Sequence, residues 1–103
     1  MQDLELKEYI QRLRKSEKQA FKMIVKHFHN SIFKFLLFRV NDIAVAEDLL
    51  QETFIRLWES RQRLDENLSL KSFLFTTAAN LTLNHFTHEK VVYQFREKAD
   101  HQK

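Results

Sequence analysis

The segment that decides the fold is residues 46–59, AEDLLQETFIRLWE, whose apolar side chains recur at the spacing of an α-helix. At about 100° per residue, one arc of this helix carries Ala46, Leu49, Leu50, Thr53, Phe54 and Leu57, with Trp58 at its edge. An amphipathic helix buries its apolar stripe against other elements. The segment therefore predicts a helix around which a packed domain is organised.

The opposite stripe of this helix is mostly acidic. Asp48, Gln51, Glu52 and Glu59 surround one aliphatic side chain, Ile55, whereas exposed helix faces more often mix charges of both signs. Carboxylates and an amide around an apolar centre suit docking against a helix that carries arginines. The alternative is a structural role, because the helix macrodipole favours acidic residues in the first turns of any helix.

The composition favours an all-α fold, a compact bundle of about four helices. The chain has 103 residues, 44% of them hydrophobic, with ten phenylalanines and no glycine, proline or cysteine. Glycine and proline mark turns and hairpins, so their absence favours helices joined by short polar connections. The lack of cysteine excludes disulfides and thiolate metal sites.

Hydropathy and charge set limits on location and partners. No apolar run reaches the ~20 residues of a membrane span, and the first residues do not form a signal peptide. We therefore expect a cytoplasmic domain without a membrane partner. The net charge of +3 is compatible with nucleic acid but does not require it.

The N-terminal half predicts two helices. The first spans residues 4–14, and the second runs from about Glu17 to about Val40. Ser16 is the expected N-cap of the second helix, because Gln19 three residues later completes a capping box.

The far end of the second helix is apolar nearly all round. Phe33, Leu37 and Phe38 lie off its main apolar stripe. We expect neighbouring helices to cover these side chains, and the alternative is that a partner does so.

The third helix should begin after a cap at Asn41 or Asp42 and end near Arg61. The aperiodic residues 62–69 then form a loop of functional length, in which Leu64 either tucks under the loop or forms a pocket wall. Basic residues bracket the segment between residues 46–58 and residues 73–80 and give it a positive local potential: Arg56, Arg61, Arg63 and Lys71.

The fourth helix should run from about Leu70 to about His88, with Ser69 as its N-cap. Residues 89–103 should either continue it as a weak helix or fray. Its inward face comprises Leu70, Leu74, Thr77, Ala78 and Leu81. Beside that face lies a strip formed by Phe73, Thr76, Asn80 and Asn84. Amides and hydroxyls next to an aromatic ring can stack with and read unpaired bases, although an ordinary polar surface has the same composition.

Catalysis and cofactor binding find little support in the sequence. The best metal-ligand set is His85, His88 and Glu89, and no further ligand stands at metal spacing. A glycine-rich phosphate loop is impossible without glycine, and no nucleophile has a base beside it. We therefore expect a protein that is not an enzyme and has no cofactor.

Two segments, residues 46–58 and residues 73–80, resemble the core-binding and promoter-melting segments of bacterial sigma factors, in the same order. From about Glu17 to Phe86 the chain is similar to region 2 of extracytoplasmic-function sigma factors. The resemblance implies that residues 1–90 are a region 2 domain. Residues 91–103 would be a tail or the start of a linker, and region 4 is absent from the sequence.

The resemblance implies that the acidic face binds core RNA polymerase. In the family, the residues at the positions of Asp48, Gln51 and Glu52 bind the clamp helices of the largest subunit, and those at Ile55 and Glu59 extend the same face. An anti-sigma factor is a further candidate partner.

The resemblance also implies capture of a base flipped from the non-template strand of the promoter minus-ten element. The candidate DNA-binding residues are Arg61, Arg63, Leu64, Lys71, Phe73, Thr76, Asn80 and Asn84. The chain departs from the family after Asn84, where His85 and Phe86 replace a common arginine pair, so phosphate contact there should be weaker. The expected function is polymerase binding with melting of the minus-ten element. The alternative is a protein-interaction module that binds polymerase without recognising promoters.

Overall fold

The computed structural model describes the backbone of residues 3–101 and the side chains of residues 5–94 and 96. Four α-helices occupy this backbone: α1 (Asp3–Arg14), α2 (Lys18–Val40), α3 (Ile43–Ser60) and α4 (Leu70–His101), with a 3₁₀ turn at Arg61–Arg63. The predicted all-α bundle is confirmed. None of these helices, within the described residues, is long and apolar enough to cross a membrane.

Helix α3 packs against both α2 and α4. Its buried residues are Ala46, Leu50, Thr53, Phe54 and Leu57, while Leu49 and Trp58 are half-buried at the edges of the arc. The Thr53 hydroxyl donates to the Leu49 carbonyl at 2.7 Å, so its burial leaves no unsatisfied polar group. The arc predicted from the sequence is the face that packs on the core.

The junction of α1 and α2 differs from the prediction. Ser16 is not the N-cap of α2, since Glu17 occupies that position without a side-chain capping bond. Ser16 instead has a φ of 64° and closes α1 in a Schellman motif, with bonds from Ser16 N to Leu13 O and from Glu17 N to Arg12 O. Arg12 also donates to Glu17 through Nε at 2.6 Å, which raises the pKa of its guanidinium.

The start of α3 follows the prediction. The Asp42 carboxylate accepts from the Val45 N–H at 3.1 Å, which makes it the N-cap. Asn41, with a φ of 53°, closes α2 by donating to the Leu37 carbonyl. The two polar residues of the break therefore serve one helix each.

Helix α4 begins as predicted and extends past His88. The Ser69 hydroxyl accepts from the Ser72 N–H at 3.2 Å. Of the two alternatives for the residues after His88, the structure shows continuation of the helix, as far as His101. Lys, Glu, Gln and Arg sustain a helix, and no proline or glycine interrupts it. The helix crosses the proposed domain boundary at residues 90 and 91 without a break, and residues 102–103 of the proposed tail lie outside the described residues.

The inward face of α4 includes a residue that the pattern missed. Leu70, Leu74, Ala78 and Leu81 are buried as expected, and Thr77 is half-buried. Thr82 is also fully buried. Its hydroxyl accepts from Arg39 Nε at 2.9 Å and donates to the Ala79 carbonyl at 2.7 Å. After Thr82, no described side chain of α4 is buried.

The apolar end of α2 is only partly covered. Phe33 and Leu37 are half-buried against the core. Phe38 is 88% exposed, so intramolecular burial of this side chain was a wrong prediction. It projects from the last turn of α2, on the side that the other described elements do not cover.

Candidate nucleic-acid and polymerase interface

The acidic face of α3 is open to solvent. Asp48, Gln51 and Glu59 are exposed, and Glu52 is half-buried. Ile55, at the centre of the face, is 47% exposed. The structure thus brings all five candidate polymerase-binding residues together on one accessible surface, directly opposite the buried arc of the same helix.

A groove of about 360 Å³ separates the acidic face from α4, and we call it the α3–α4 groove. Its lining residues are Glu52, Arg56, Glu59 and Ser60 from α3, Arg63 from the 3₁₀ turn, and Phe73, Thr77 and Asn80 from α4. Three of the candidate DNA-binding residues, Arg63, Phe73 and Asn80, therefore meet in one depression. Two candidate polymerase-binding residues, Glu52 and Glu59, line it as well.

A second pocket of about 360 Å³ adjoins this groove under the loop that follows the 3₁₀ turn. Its lining residues are Ser60, Arg63, Leu64, Asp65, Leu68 and Phe73. Leu64 is only 4% exposed, so it both tucks under the loop and forms a pocket wall. Ser60, Arg63 and Phe73 line both cavities, so the two lie side by side.

The groove offers complementary chemical groups for a nucleotide. The Phe73 ring is half-buried at the boundary of the two cavities, and the Asn80 amide is exposed in the groove. The Thr77 hydroxyl donates to the Phe73 carbonyl at 2.7 Å, so it satisfies the helix backbone. An aromatic face can stack on a base and an amide can bond to its edge.

Comparison with known proteins decides the family. The family model described as "Sigma-70 region 2" matches residues 24–91. This chain belongs to the sigma-70 region 2 family. Its resemblance to the extracytoplasmic-function (ECF) group is confirmed by its relatives. It is 28% identical over 91 residues to the ECF RNA polymerase sigma factor SigW of Bacillus subtilis. The aligned residues cover 88% of this chain and 49% of SigW.

Two further matches agree with this assignment. The RNA polymerase sigma factor CarQ of Myxococcus xanthus is 30% identical over 91 residues, which cover 88% of this chain and 52% of CarQ. The chain thus spans about half the length of these two relatives. An NMR structure of an engineered region 2 of sigmaE in complex with GTAAAA superposes with a TM-score of 0.76 at 20% identity, over 87% of this chain and 90% of that one. At that identity the likeness shows the shared fold.

Several candidate DNA-binding residues of this region 2 domain lie outside the α3–α4 groove. Lys71 lines a separate cavity of about 540 Å³, formed with α1, α2 and the loop before α4. Thr76 and Asn84 are exposed on α4 and line neither the α3–α4 groove nor the pocket beside it. Their assignment to DNA stays a prediction.

Arg61 of the region 2 domain is engaged within the protein. Its Nε donates to the Ser16 hydroxyl at 2.8 Å, and its Nη1 donates to the Trp58 carbonyl at 2.9 Å. The guanidinium also lies 4.1 Å from the centroid of the Trp58 ring. Arg61 therefore ties the α1–α2 junction to the end of α3.

We expect Arg61→Gln to lower the free energy of unfolding by about 1 to 2 kcal/mol, because it removes a cation–π contact and two hydrogen bonds from a charged group. Chemical denaturation measures this loss. Arg63→Gln is the control, since Arg63 is exposed and makes one long bond of 3.4 Å to Ser60. It should change stability by less than about 0.5 kcal/mol. Equal stability of Arg61→Gln and wild type would contradict the structural role of Arg61.

Side chains of opposite charge, one helical turn apart, pair on the surface of the region 2 domain. Arg56 Nε lies 3.3 Å from Glu52 Oε1, one turn apart on α3. The sequence signal for this pair was the i,i+4 spacing of opposite charges. His85 Nε2 lies 3.3 Å from Glu89 Oε1. Among the residues that the structure describes, no group of three His, Asp or Glu side chains could hold a metal ion.

Proposed function

We propose that this domain binds core RNA polymerase through the acidic face of α3 and captures an unpaired base of the promoter minus-ten element in the α3–α4 groove. The observation that carries the proposal is the meeting of Arg63, Phe73 and Asn80 in one groove beside that face. Membership of the sigma-70 region 2 family supports it.

The acidic face has the chemistry of a polymerase contact. Exposed carboxylates accept charge-assisted hydrogen bonds from arginine, often two at a time. Ile55, 47% exposed among them, supplies an apolar anchor that a partner helix can bury. The partner would be the clamp helices of the largest polymerase subunit.

The groove has the chemistry of single-strand capture. Extruding a base costs a few kcal/mol, and stacking together with edge hydrogen bonds compensates for that cost. Phe73 would stack on the base, Asn80 would bond to its edge, and Arg63 would contact the backbone of the non-template strand. The complex of the sigmaE region 2 neighbour with GTAAAA supports this mode of recognition.

Asn80→Ala tests the assignment. We expect it to weaken binding to the preferred single-stranded oligonucleotide by about 1 to 3 kcal/mol, the scale of one good base contact, and to have little effect on a scrambled sequence. The preferred sequence is selected from a pool of single-stranded hexamers that includes GTAAAA, and affinities are measured by fluorescence anisotropy.

Asn84→Ala is the matched comparison for this experiment. It makes the same change one turn further along α4, outside the groove, and should lose less affinity. Equal losses of Asn80→Ala on the preferred and scrambled oligonucleotides would mean that Asn80 does not read bases.

A second function is binding to polymerase without promoter recognition. The observation that favours it is the replacement of the family's arginine pair after Asn84 by His85 and Phe86. His85 lies next to Glu89. Neither His85 nor Phe86 has a guanidinium group that could contact a phosphate. Capture of core polymerase by a chain that shows no sequence-dependent binding to single-stranded DNA would select this function.

A further inference from the structure

The ion pair of Glu52 and Arg56 lies where the two proposed surfaces meet. Glu52 belongs to the acidic face and also lines the α3–α4 groove, and Arg56 lines the groove one turn further along α3. The side chains of Glu52 and Arg56 are 44% and 47% exposed, and their charged atoms are 3.3 Å apart. Both therefore remain accessible to competing partners.

The charges of the groove balance one another in the free domain. Two carboxylates, Glu52 and Glu59, line it together with two guanidinium groups, Arg56 and Arg63. A phosphate that enters this groove meets no net positive charge, and Arg56 is already occupied by Glu52. Since phosphate contacts supply much of the affinity for nucleic acid, the free domain should hold a strand weakly.

We propose that Glu52 couples the two binding events by releasing Arg56. This inference rests on the proposed function. When an arginine of polymerase bonds to Glu52, it neutralises that carboxylate and competes with Arg56. A half-exposed ion pair is weak, so Arg56 then turns to a phosphate of the strand in the groove. By linkage, a strand bound to Arg56 strengthens polymerase binding by the same factor.

Glu52→Gln in the full chain tests the release, because it frees Arg56 without polymerase. We expect about 2- to 5-fold tighter binding to a single-stranded oligonucleotide of random sequence, with a log–log salt slope that is steeper by about one. Asp48→Asn is the matched control. It removes one charge from the same face of α3 but does not line the groove, and it should give less than half of this gain.

The dependence on Arg56 separates release from simple loss of a negative charge. In an Arg56→Gln background, Glu52→Gln should give a clearly smaller gain, because only the loss of one groove carboxylate remains. Arg56→Gln alone should reduce the gain in oligonucleotide affinity that core polymerase gives to wild type. An equal gain from Glu52→Gln with and without Arg56 overturns the inference.

The same measurements distinguish failure of this coupling from failure of the proposed function. If Asn80→Ala loses sequence-dependent binding while Glu52→Gln gains nothing, the coupling is wrong and the proposed function stands. If no variant binds the oligonucleotides, with or without core polymerase, both proposals are wrong.

Discussion

Replacing Asp48 and Glu52 together by lysine is expected to abolish binding to core RNA polymerase and to leave the fold intact. Like charges placed across an interface cost several kcal/mol, so lysines opposite the partner's arginines should weaken binding by about 100-fold or more. The fold should survive because Asp48 is exposed, and Glu52 is half-buried in a surface ion pair that contributes about 0 to 1 kcal/mol. Surface plasmon resonance on immobilised core polymerase measures the affinity, and circular dichroism measures helix content.

The control for this double substitution is Glu5→Lys with Glu8→Lys. Both residues are exposed, and the pair changes the net charge by the same amount. Both lie on α1, away from the acidic face of α3. Polymerase binding that survives in the Asp48 and Glu52 variant, with unchanged circular dichroism, would refute the assignment of this face. Equal loss in the control would point to non-specific electrostatics.

Much of the fold was predictable because local rules and tertiary packing agree in α3. The spacing of Leu50, Phe54 and Leu57 marks a buried stripe, and all three are buried. Asp42 and Ser69 start their helices by side-chain bonds that depend only on nearby backbone. Where the capping residues and the apolar stripe indicate the same helix, the sequence alone is enough to locate it.

The wrong predictions concern positions where the direction of the chain, rather than the preference of the residue type, determines the structure. Tight reversals after helices need a residue with positive φ, which is usually glycine. This chain has no glycine, so the left-handed positions fall on Ser16 and Asn41. Ser16 looked like an N-cap because its residue type favours that role. Its hydroxyl instead accepts from Arg61, a residue 45 positions away that no local pattern connects to it.

The candidate site was predicted in part, for a related reason. A helical wheel places Phe73, Thr76 and Asn80 on one strip, but the crossing of α3 over α4 determines which of them face a groove. The groove is lined by Phe73, Thr77 and Asn80, whereas Thr76 lies outside it. Arg56 of α3 also lines the groove. The periodicity of one helix could not predict this, because it does not specify how two helices are placed relative to each other.

The second large effect is expected from Leu57→Ala. Leu57 is fully buried on α3, the helix that packs against both α2 and α4. Removing a buried leucine side chain costs about 3 to 5 kcal/mol, since the lost burial adds to the cost of the cavity. The melting temperature of a domain of this size should fall by about 15 to 30 °C. Thermal and urea denaturation followed by circular dichroism measure both quantities.

Leu83→Ala makes the same chemical change at a site that is 55% exposed, and it should alter stability by less than about 0.5 kcal/mol. A loss below about 1 kcal/mol for Leu57→Ala would contradict the burial of this face of α3 in the core. The acidic face and half of the α3–α4 groove are on α3, so unfolding of this helix removes both proposed surfaces together. Leu57→Ala should therefore weaken polymerase and oligonucleotide binding by one common factor, equal to the drop in the folded fraction. The substitutions at Asp48 and Glu52, in contrast, should weaken only polymerase binding.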